Sequence, residues 1–84
     1  MNIKYSRKAE KYLKKCDKNL AKRLLEEIEA LTKNPYPKDS TNVEGRKDNA
    51  QRIRVGKQRI IYFIIKENNE LFVADIDKRG RVYD

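Results

Sequence analysis

Apolar and polar residues alternate along the chain with two different periods. Ile3 and Tyr5 alternate with polar neighbours, which predicts a short, half-buried strand ending at Ser6, a suitable helix N-cap. From Arg7 onward, apolar residues recur at every third or fourth position, which predicts a basic amphipathic helix. Its apolar stripe consists of Ala9, Tyr12, Leu13 and Cys16.

A second helix is predicted to begin after Asp17, which can cap it, and to end at Asn34-Pro35. Almost nothing separates the two helices, so they should form a helical hairpin whose apolar faces need a further surface to cover. The stretch from Pro35 to Ser40 is an internal loop, too short to separate domains. The apolar positions of the second helix are Leu20, Leu24, Ile28 and Leu31.

The second half of the chain has the two-residue period of strands. Gln51 to Val55 alternates so that Arg52 and Arg54 share one face, and Gly56-Lys57 makes a hairpin turn. Ile60 to Ile65 is apolar throughout, which is typical of a central strand covered on both sides or of one whose second face lies in a binding groove.

Two further segments complete the predicted sheet. Leu71 to Ile76 reads as the last strand, whereas Asn42 to Ala50 is expected to be a ragged strand or a loop. The order of elements predicts an α+β fold, in which an N-terminal strand and a helical hairpin pack on a small, mainly antiparallel sheet. A chain of 84 residues suffices for one domain, so residues 1–84 are expected to form a single unit.

Charge and cysteine content narrow the setting. Lysine and arginine total 21 against 13 acidic residues, a net charge of +8 that favours a polyanionic partner. A single cysteine, Cys16, excludes an internal disulfide and fits a reducing compartment. Neither an apolar run long enough for a membrane span nor the opening of a signal peptide is present, so we expect a soluble, cytoplasmic protein.

The chain lacks the residues that several kinds of functional site require. The chain has no histidine and only one cysteine, which argues against a metal site and against Ser-His-Asp or Cys-His catalysis. Three glycines form no phosphate-binding loop, so nucleotide hydrolysis is not expected. No cofactor is predicted.

A cluster of basic residues remains, and the predicted sheet could gather it into one concavity. Guanidinium groups hold phosphate oxygens bidentately and stabilise charge developing at phosphorus. They are poor bases, but Tyr83 could accept a proton from a ribose 2′-hydroxyl because nearby cations favour its phenolate. Alternatively, the arginines form a solvated sheet face and Tyr83 is a packing aromatic. The cluster consists of Arg52, Arg54, Arg59, Lys78, Arg79 and Arg81.

Two motifs resemble those of a known family. Ala50 to Tyr62 resembles the "YRIRVGxYRIIY" segment of RelE/ParE-superfamily toxins, and Ile76 to Tyr83 resembles their closing "I-x-[HK]-R-x-x-x-VY" segment. The leucine/valine-x-glycine element of the family compares with 43–45, so the resemblance covers nearly the whole chain. It implies the toxin of a toxin–antitoxin pair and, in the favoured RelE branch, a ribosome-dependent endoribonuclease that cuts mRNA.

The resemblance also implies residue roles. Arg59 would contact the scissile phosphate, Arg79 would stabilise charge or serve the leaving 5′-oxygen, and Tyr83 would be the base. Arg52 and Arg54 stand where well-known members carry lysines. Lys57, Lys78 and Arg81 are candidate RNA-binding residues, although Lys57 and Arg81 could equally be solubilising charges. Another subgroup pairs a late histidine with an upstream glutamate; this chain has no histidine, so Glu44 is not expected to take part.

Three functions stay open at this point. The first is the mRNA nuclease, with ribosome, mRNA and a cognate antitoxin as partners. The second is a ParE-like toxin that inhibits DNA gyrase through protein contacts. The third is an inactive relative that binds an acidic antitoxin or RNA without cutting it.

Overall fold

The fold is a five-stranded sheet carrying two helices, seen in a computed structural model that describes residues 1–43 and 49–78. The strands lie in the order β1-β5-β4-β3-β2. β1 runs parallel to β5, and the other described pairs are antiparallel. The predicted α+β class is confirmed. The elements are β1 (Asn2–Tyr5), α1 (Arg7–Lys15), α2 (Lys18–Leu31), β2 (Thr41–Asn42), β3 (Gln51–Val55), β4 (Gln58–Ile65) and β5 (Glu70–Lys78).

Both helices begin at the predicted caps. Ser6 Oγ accepts a hydrogen bond from the Ala9 amide at 3.0 Å and donates one to the Ala74 carbonyl at 2.7 Å, so a single hydroxyl starts α1 and ties it to β5. The Asp17 carboxylate accepts from the amides of Asn19 and Leu20. α2 ends at Leu31, three residues before the predicted Asn34 boundary.

The core lies between the helices and one sheet face. Leu24 and Ile28 from α2 are completely buried, as are Ile60 and Tyr62 from the central strand β4. Full burial of each such aliphatic side chain stabilises the fold by about 1.5 to 3 kcal/mol. The two helices therefore find their covering surface in the C-terminal half of the chain. The other buried members of this core are Ala9, Leu31, Ile53, Val55, Leu71, Val73 and Ile76.

The central strand is not covered equally on its two faces. Burial alternates along β4, and Ile61, Phe63 and Ile65 are only half-buried although all three are apolar. We call the face that they share the open face, because the helices pack on the opposite one. Phe63 stacks there on Phe72 of β5, with ring centroids 5.2 Å apart. Of the two interpretations of this apolar strand, coverage on both sides is wrong for the described part of the chain.

Two local features set the register of the sheet. Gly56 has φ +62° in the two-residue turn between β3 and β4, a conformation that favours glycine at this position. The pairing of β4 with β5 shifts between Ile61 and Tyr62, where Ala74 is an extra residue, so that Asp75 pairs with Ile61 and Asp77 with Arg59. β2 is shorter than the predicted ragged segment, and residues 44–48 of that segment lie outside the described residues.

The loop after α2 is fastened to the core by one tyrosine. The Tyr62 ring is completely buried, and its hydroxyl donates a hydrogen bond to the Pro35 carbonyl at 2.5 Å. Burial raises the pKa of Tyr62 from 10.0 to about 12. This contact fixes the start of the segment that leads to Asp39 and Thr41.

Within the described residues, no helix is long and apolar enough to cross a bilayer.

Replacing Tyr62 by phenylalanine should lower the free energy of unfolding by about 1 to 2 kcal/mol, because the ring remains buried while the Pro35 carbonyl loses its donor. Urea denaturation would measure this loss. Tyr36, which is 56% exposed, is the control. Tyr36→Phe should stay within about 0.5 kcal/mol of the wild type. Equal stability of wild type and Tyr62→Phe would contradict the anchoring role.

Stability should also fall at high pH through the same residue. The folded chain holds the Tyr62 proton more tightly than the unfolded chain, so its contribution is complete below pH 10.0 and is lost as the pH rises through about 12. Because lysines titrate in the same range, we compare the pH dependence of wild type with that of Tyr62→Phe. The variant should show the shallower decline between these two pH values, and parallel curves would refute the assignment.

Candidate phosphate-binding site

Three arginines occupy neighbouring positions on the open face. Arg52 and Arg54 project from β3 on the same side, because residues two apart in a strand share a face. Arg59 belongs to β4 and pairs directly with Arg54 in the antiparallel register. The predicted grouping of these three side chains on one sheet face therefore agrees with the geometry.

Three charged residues, two cations and one anion, lie side by side across the strands at this level of the sheet. Arg54, Arg59 and Asp77 are consecutive partners on β3, β4 and β5, and we call them the charged row. Side chains directly opposite each other lie about 5 Å apart, and like charges at that distance repel. Arg59 is therefore drawn toward Asp77, where its Nη2 atom lies 3.4 Å from Oδ2. Such a partly exposed pair stabilises the fold by at most about 1 kcal/mol.

A cavity opens beside β3 at the edge of the open face. It has a volume of about 250 Å³ and is lined by Asp39, Thr41, Arg52 and Arg54. The two arginines and the threonine hydroxyl provide hydrogen-bond donors for an anion. The cavity volume is several times the roughly 30 Å³ that one water molecule occupies. Asp39 adds one carboxylate to this wall. The arrangement suits a phosphodiester that enters the cavity beside Arg52 and Arg54.

The remaining candidates fall into three groups. Lys57 is exposed in the β3–β4 turn, two residues before Arg59. Lys78 pairs with Gln58, on the sheet side that the helices cover, and lines a groove with Lys8, Lys11 and Lys15 of α1. The structure therefore separates Lys78 from the three arginines. Arg79, Arg81 and Tyr83 lie outside the described residues, as does Glu44.

Three residues of the site were missed in the sequence. Asp77 was hidden within the closing basic motif, and only the bulge at Ala74 brings it opposite Arg59. Asp39 and Thr41 come from a segment that looked like a linker. The alternation of Ile76 with its polar neighbours could have placed Asp77 on the open face, but not beside a particular arginine.

An anion-binding site predicts stabilisation by phosphate. Adding inorganic phosphate should raise the thermal unfolding midpoint with the logarithm of its concentration above the dissociation constant, relative to chloride at equal ionic strength. Arg54→Gln should lose most of this increase because it removes a cation from both the cavity and the charged row. Lys33→Gln, a change of equal charge at an exposed position after α2, is the control and should keep it. Equal phosphate responses in both variants would argue against a localised site.

Comparison with known proteins assigns this fold to a class. The RelE chain of the archaeal RelE–RelB complex from Pyrococcus horikoshii superposes with a TM-score of 0.80 and 27% identity, covering 96% of this chain and 97% of that one. The isolated Escherichia coli RelE toxin gives the same TM-score at 19% identity, with coverage of 98% and 87%, and so supports the fold alone. The class is that of RelE/ParE-superfamily toxins.

Sequence comparison gives the family. The chain belongs to the family of ParE toxins of type II toxin–antitoxin systems, whose model matches residues 3–83. RelE1 of Methanocaldococcus jannaschii is 29% identical over 84 residues, which cover 98% of this chain and 93% of the relative. The predicted superfamily membership is confirmed.

Proposed function

We propose that this toxin is a ribosome-dependent mRNA endoribonuclease that inhibits translation. The observation that carries the proposal is the convergence of Arg52, Arg54 and Arg59 on the open face, next to a cavity with room for a phosphodiester. Three neighbouring guanidinium groups suit phosphate oxygens better than they suit an apolar protein surface. The likeness to RelE proteins supports the same activity.

The proposed reaction uses the RNA as its own nucleophile. The ribose 2′-oxygen attacks the adjacent phosphorus and the bond to the 5′-oxygen breaks, which leaves a 2′,3′-cyclic phosphate and a free 5′-hydroxyl. Alignment and charge stabilisation account for most of the acceleration in such a step. The protein therefore has to hold phosphate oxygens in place, and arginines supply that without a cofactor.

Each residue has a distinct part in this scheme. Arg59 contacts the scissile phosphate, and Arg52 and Arg54 neutralise the growing charge from β3. Tyr83 accepts the 2′-hydroxyl proton, and Arg79 stabilises charge or serves the departing 5′-oxygen. These last two roles rest on the match of the closing motif to RelE toxins.

Substrate binding is assigned to the wider basic surface. Lys57, Lys78 and Arg81 contribute contacts to mRNA or ribosomal RNA, and the net charge of +8 favours both. Such binding weakens steeply with salt because each phosphate contact releases a counterion. Because the ribosome is cytoplasmic, the proposed activity places the protein in the cytoplasm. Residues 1–84 would act there as one domain.

An antitoxin is proposed as the regulatory partner. The Pyrococcus horikoshii relative was solved in complex with RelB, and family membership implies a comparable partner here. An antitoxin that places acidic residues against Arg52, Arg54 and Arg59 would neutralise the charge needed for RNA. Inhibition would then follow from competition for the open face.

Gyrase inhibition is the second candidate, and the ParE family match favours it. Under this alternative the protein would act by binding without cutting RNA. The open face would then be a protein contact surface, and replacing a single arginine would weaken binding only in part.

Expression in cells should separate these functions. Wild-type toxin should produce new 5′ ends in translated messages, and none when translation is blocked. Arg59→Ala and Arg79→Ala should each reduce cleavage by roughly 10²- to 10³-fold, the usual cost of losing one group that stabilises transition-state charge. Tyr83→Phe should reduce it by roughly 10²- to 10⁴-fold, the usual contribution of a general base. Sequencing of mRNA 5′ ends measures the outcome.

The control for this experiment is Lys33→Ala, a charge change at an exposed position after α2, which should cleave as wild type does. Intact messages together with growth arrest and DNA damage would support gyrase inhibition. Intact messages with normal growth would indicate an inactive relative. Cleavage that persists without translation would refute ribosome dependence.

A further inference from the structure

We propose that Asp77 is a positioning residue, whose carboxylate sets the direction in which the Arg59 guanidinium faces the scissile phosphate. This inference rests on the proposed nuclease function and extends it by one residue. It comes from the charged row, in which Asp77 and Arg54 flank Arg59 on neighbouring strands.

The first argument is electrostatic. Arg59 has a cation opposite it on β3 and an anion opposite it on β5, so the two neighbours act on its guanidinium in the same direction. Repulsion from Arg54 and attraction to Asp77 both move the group toward β5. Without Asp77, the guanidinium loses its attraction toward β5 and, among the members of the charged row, keeps only the repulsion from Arg54.

The second argument comes from the geometry of the pair. The Arg59 and Asp77 side chains are 22% and 28% exposed, so water screens their attraction only in part. The separation of 3.4 Å is longer than the roughly 2.8 Å of a tight charge-assisted hydrogen bond. A guanidinium has five N–H donors, and Asp77 Oδ2 accepts from one on Nη2. The contact therefore orients the group while allowing it to move onto a phosphate.

The third argument concerns the cost of the carboxylate. A negative charge beside a phosphate-binding arginine repels the phosphate and weakens RNA binding. The pair also contributes little to folding, since the pairing of β4 with β5 is already fixed by backbone bonds and by Ile60 and Ile76 in the core. Asp77 also lines the groove with Lys8, Lys11 and Lys15 of α1, but within the described residues its carboxylate forms an ion pair with Arg59 and with none of these lysines. Its effect on the direction of Arg59 therefore explains the anion at this position.

Asp75 provides a matched control. It lies two residues earlier on the same strand, and its carboxylate lies 3.4 Å from Lys8 Nζ, in a pair separate from Arg59. Replacing either aspartate by asparagine removes one negative charge from β5 and breaks one ion pair. The two variants therefore differ mainly in whether the broken pair contains Arg59.

The test is single-turnover cleavage of 5′-labelled mRNA on programmed ribosomes, with maximal rate and half-saturating toxin concentration measured separately. Asp77→Asn should lower the maximal rate roughly 10- to 100-fold, the scale on which small misplacements act, while half-saturation is unchanged or a few-fold lower. Asp75→Asn should change the rate less than about threefold and shift half-saturation in the same way. Thermal unfolding checks that each variant is folded. If Asp77→Asn is unfolded, Asp77→Ser takes its place.

A double-mutant cycle separates positioning from a general structural effect. In the Arg59→Ala background, Asp77→Asn should change the rate less than about twofold, because the group that it orients is gone. An undiminished effect in that background would overturn the inference, as would equal maximal rates of Asp77→Asn and Asp75→Asn. If the wild type itself leaves the mRNA intact on ribosomes, the nuclease proposal fails and the role of Asp77 fails with it.

Discussion

The structure depends on the burial of alternate side chains of β4 beneath the two helices. Because side chains alternate along a strand, enclosing Ile60 and Tyr62 forces Arg59 and Ile61 onto the other face. A shift of one residue would place a guanidinium in the core, at a cost far above the few kilocalories that hold a small domain folded. The hydrophobic core thus fixes the positions of the functional cations without contacting them.

Local chemistry accounts for the parts of the fold that were predictable. Ser6 and Asp17 cap the helices through bonds spanning two or three residues, and the Gly56 turn joins adjacent strands. The grouping of Arg52 and Arg54 follows from alternation alone. Prediction failed where distant segments meet: nothing in the sequence places β1 beside β5, and the bulge at Ala74 decides which residue faces Arg59. The roles of Arg79 and Tyr83 rest on a motif, and their positions lie outside the described residues.

The charged row also explains how a strongly basic protein tolerates adjacent cations. Arg54 and Arg59 are opposed across two strands, an unfavourable arrangement that Asp77 partly compensates. Sites that bind a polyanion commonly retain some repulsion between their cations, since a fully neutralised site would gain little electrostatic free energy from binding its ligand. In the proposed function, a bound phosphate would relieve the repulsion between the arginines and replace part of the attraction that Asp77 supplies. Basic composition alone would not have revealed this balance.

The parallel pairing of β1 with β5 has a consequence for how the protein is made. The hydroxyl of Ser6 meets the Ala74 carbonyl across 68 positions of sequence, and β1 has its neighbour only on β5. During translation, β1 cannot form its strand pairing until β5 has been synthesised. Contacts of such long sequence separation form late in folding. The strand that pairs with β1 is β5, which also carries Asp77. The charged row is therefore complete only after Asp77 has been synthesised, because its three members come from β3, β4 and β5.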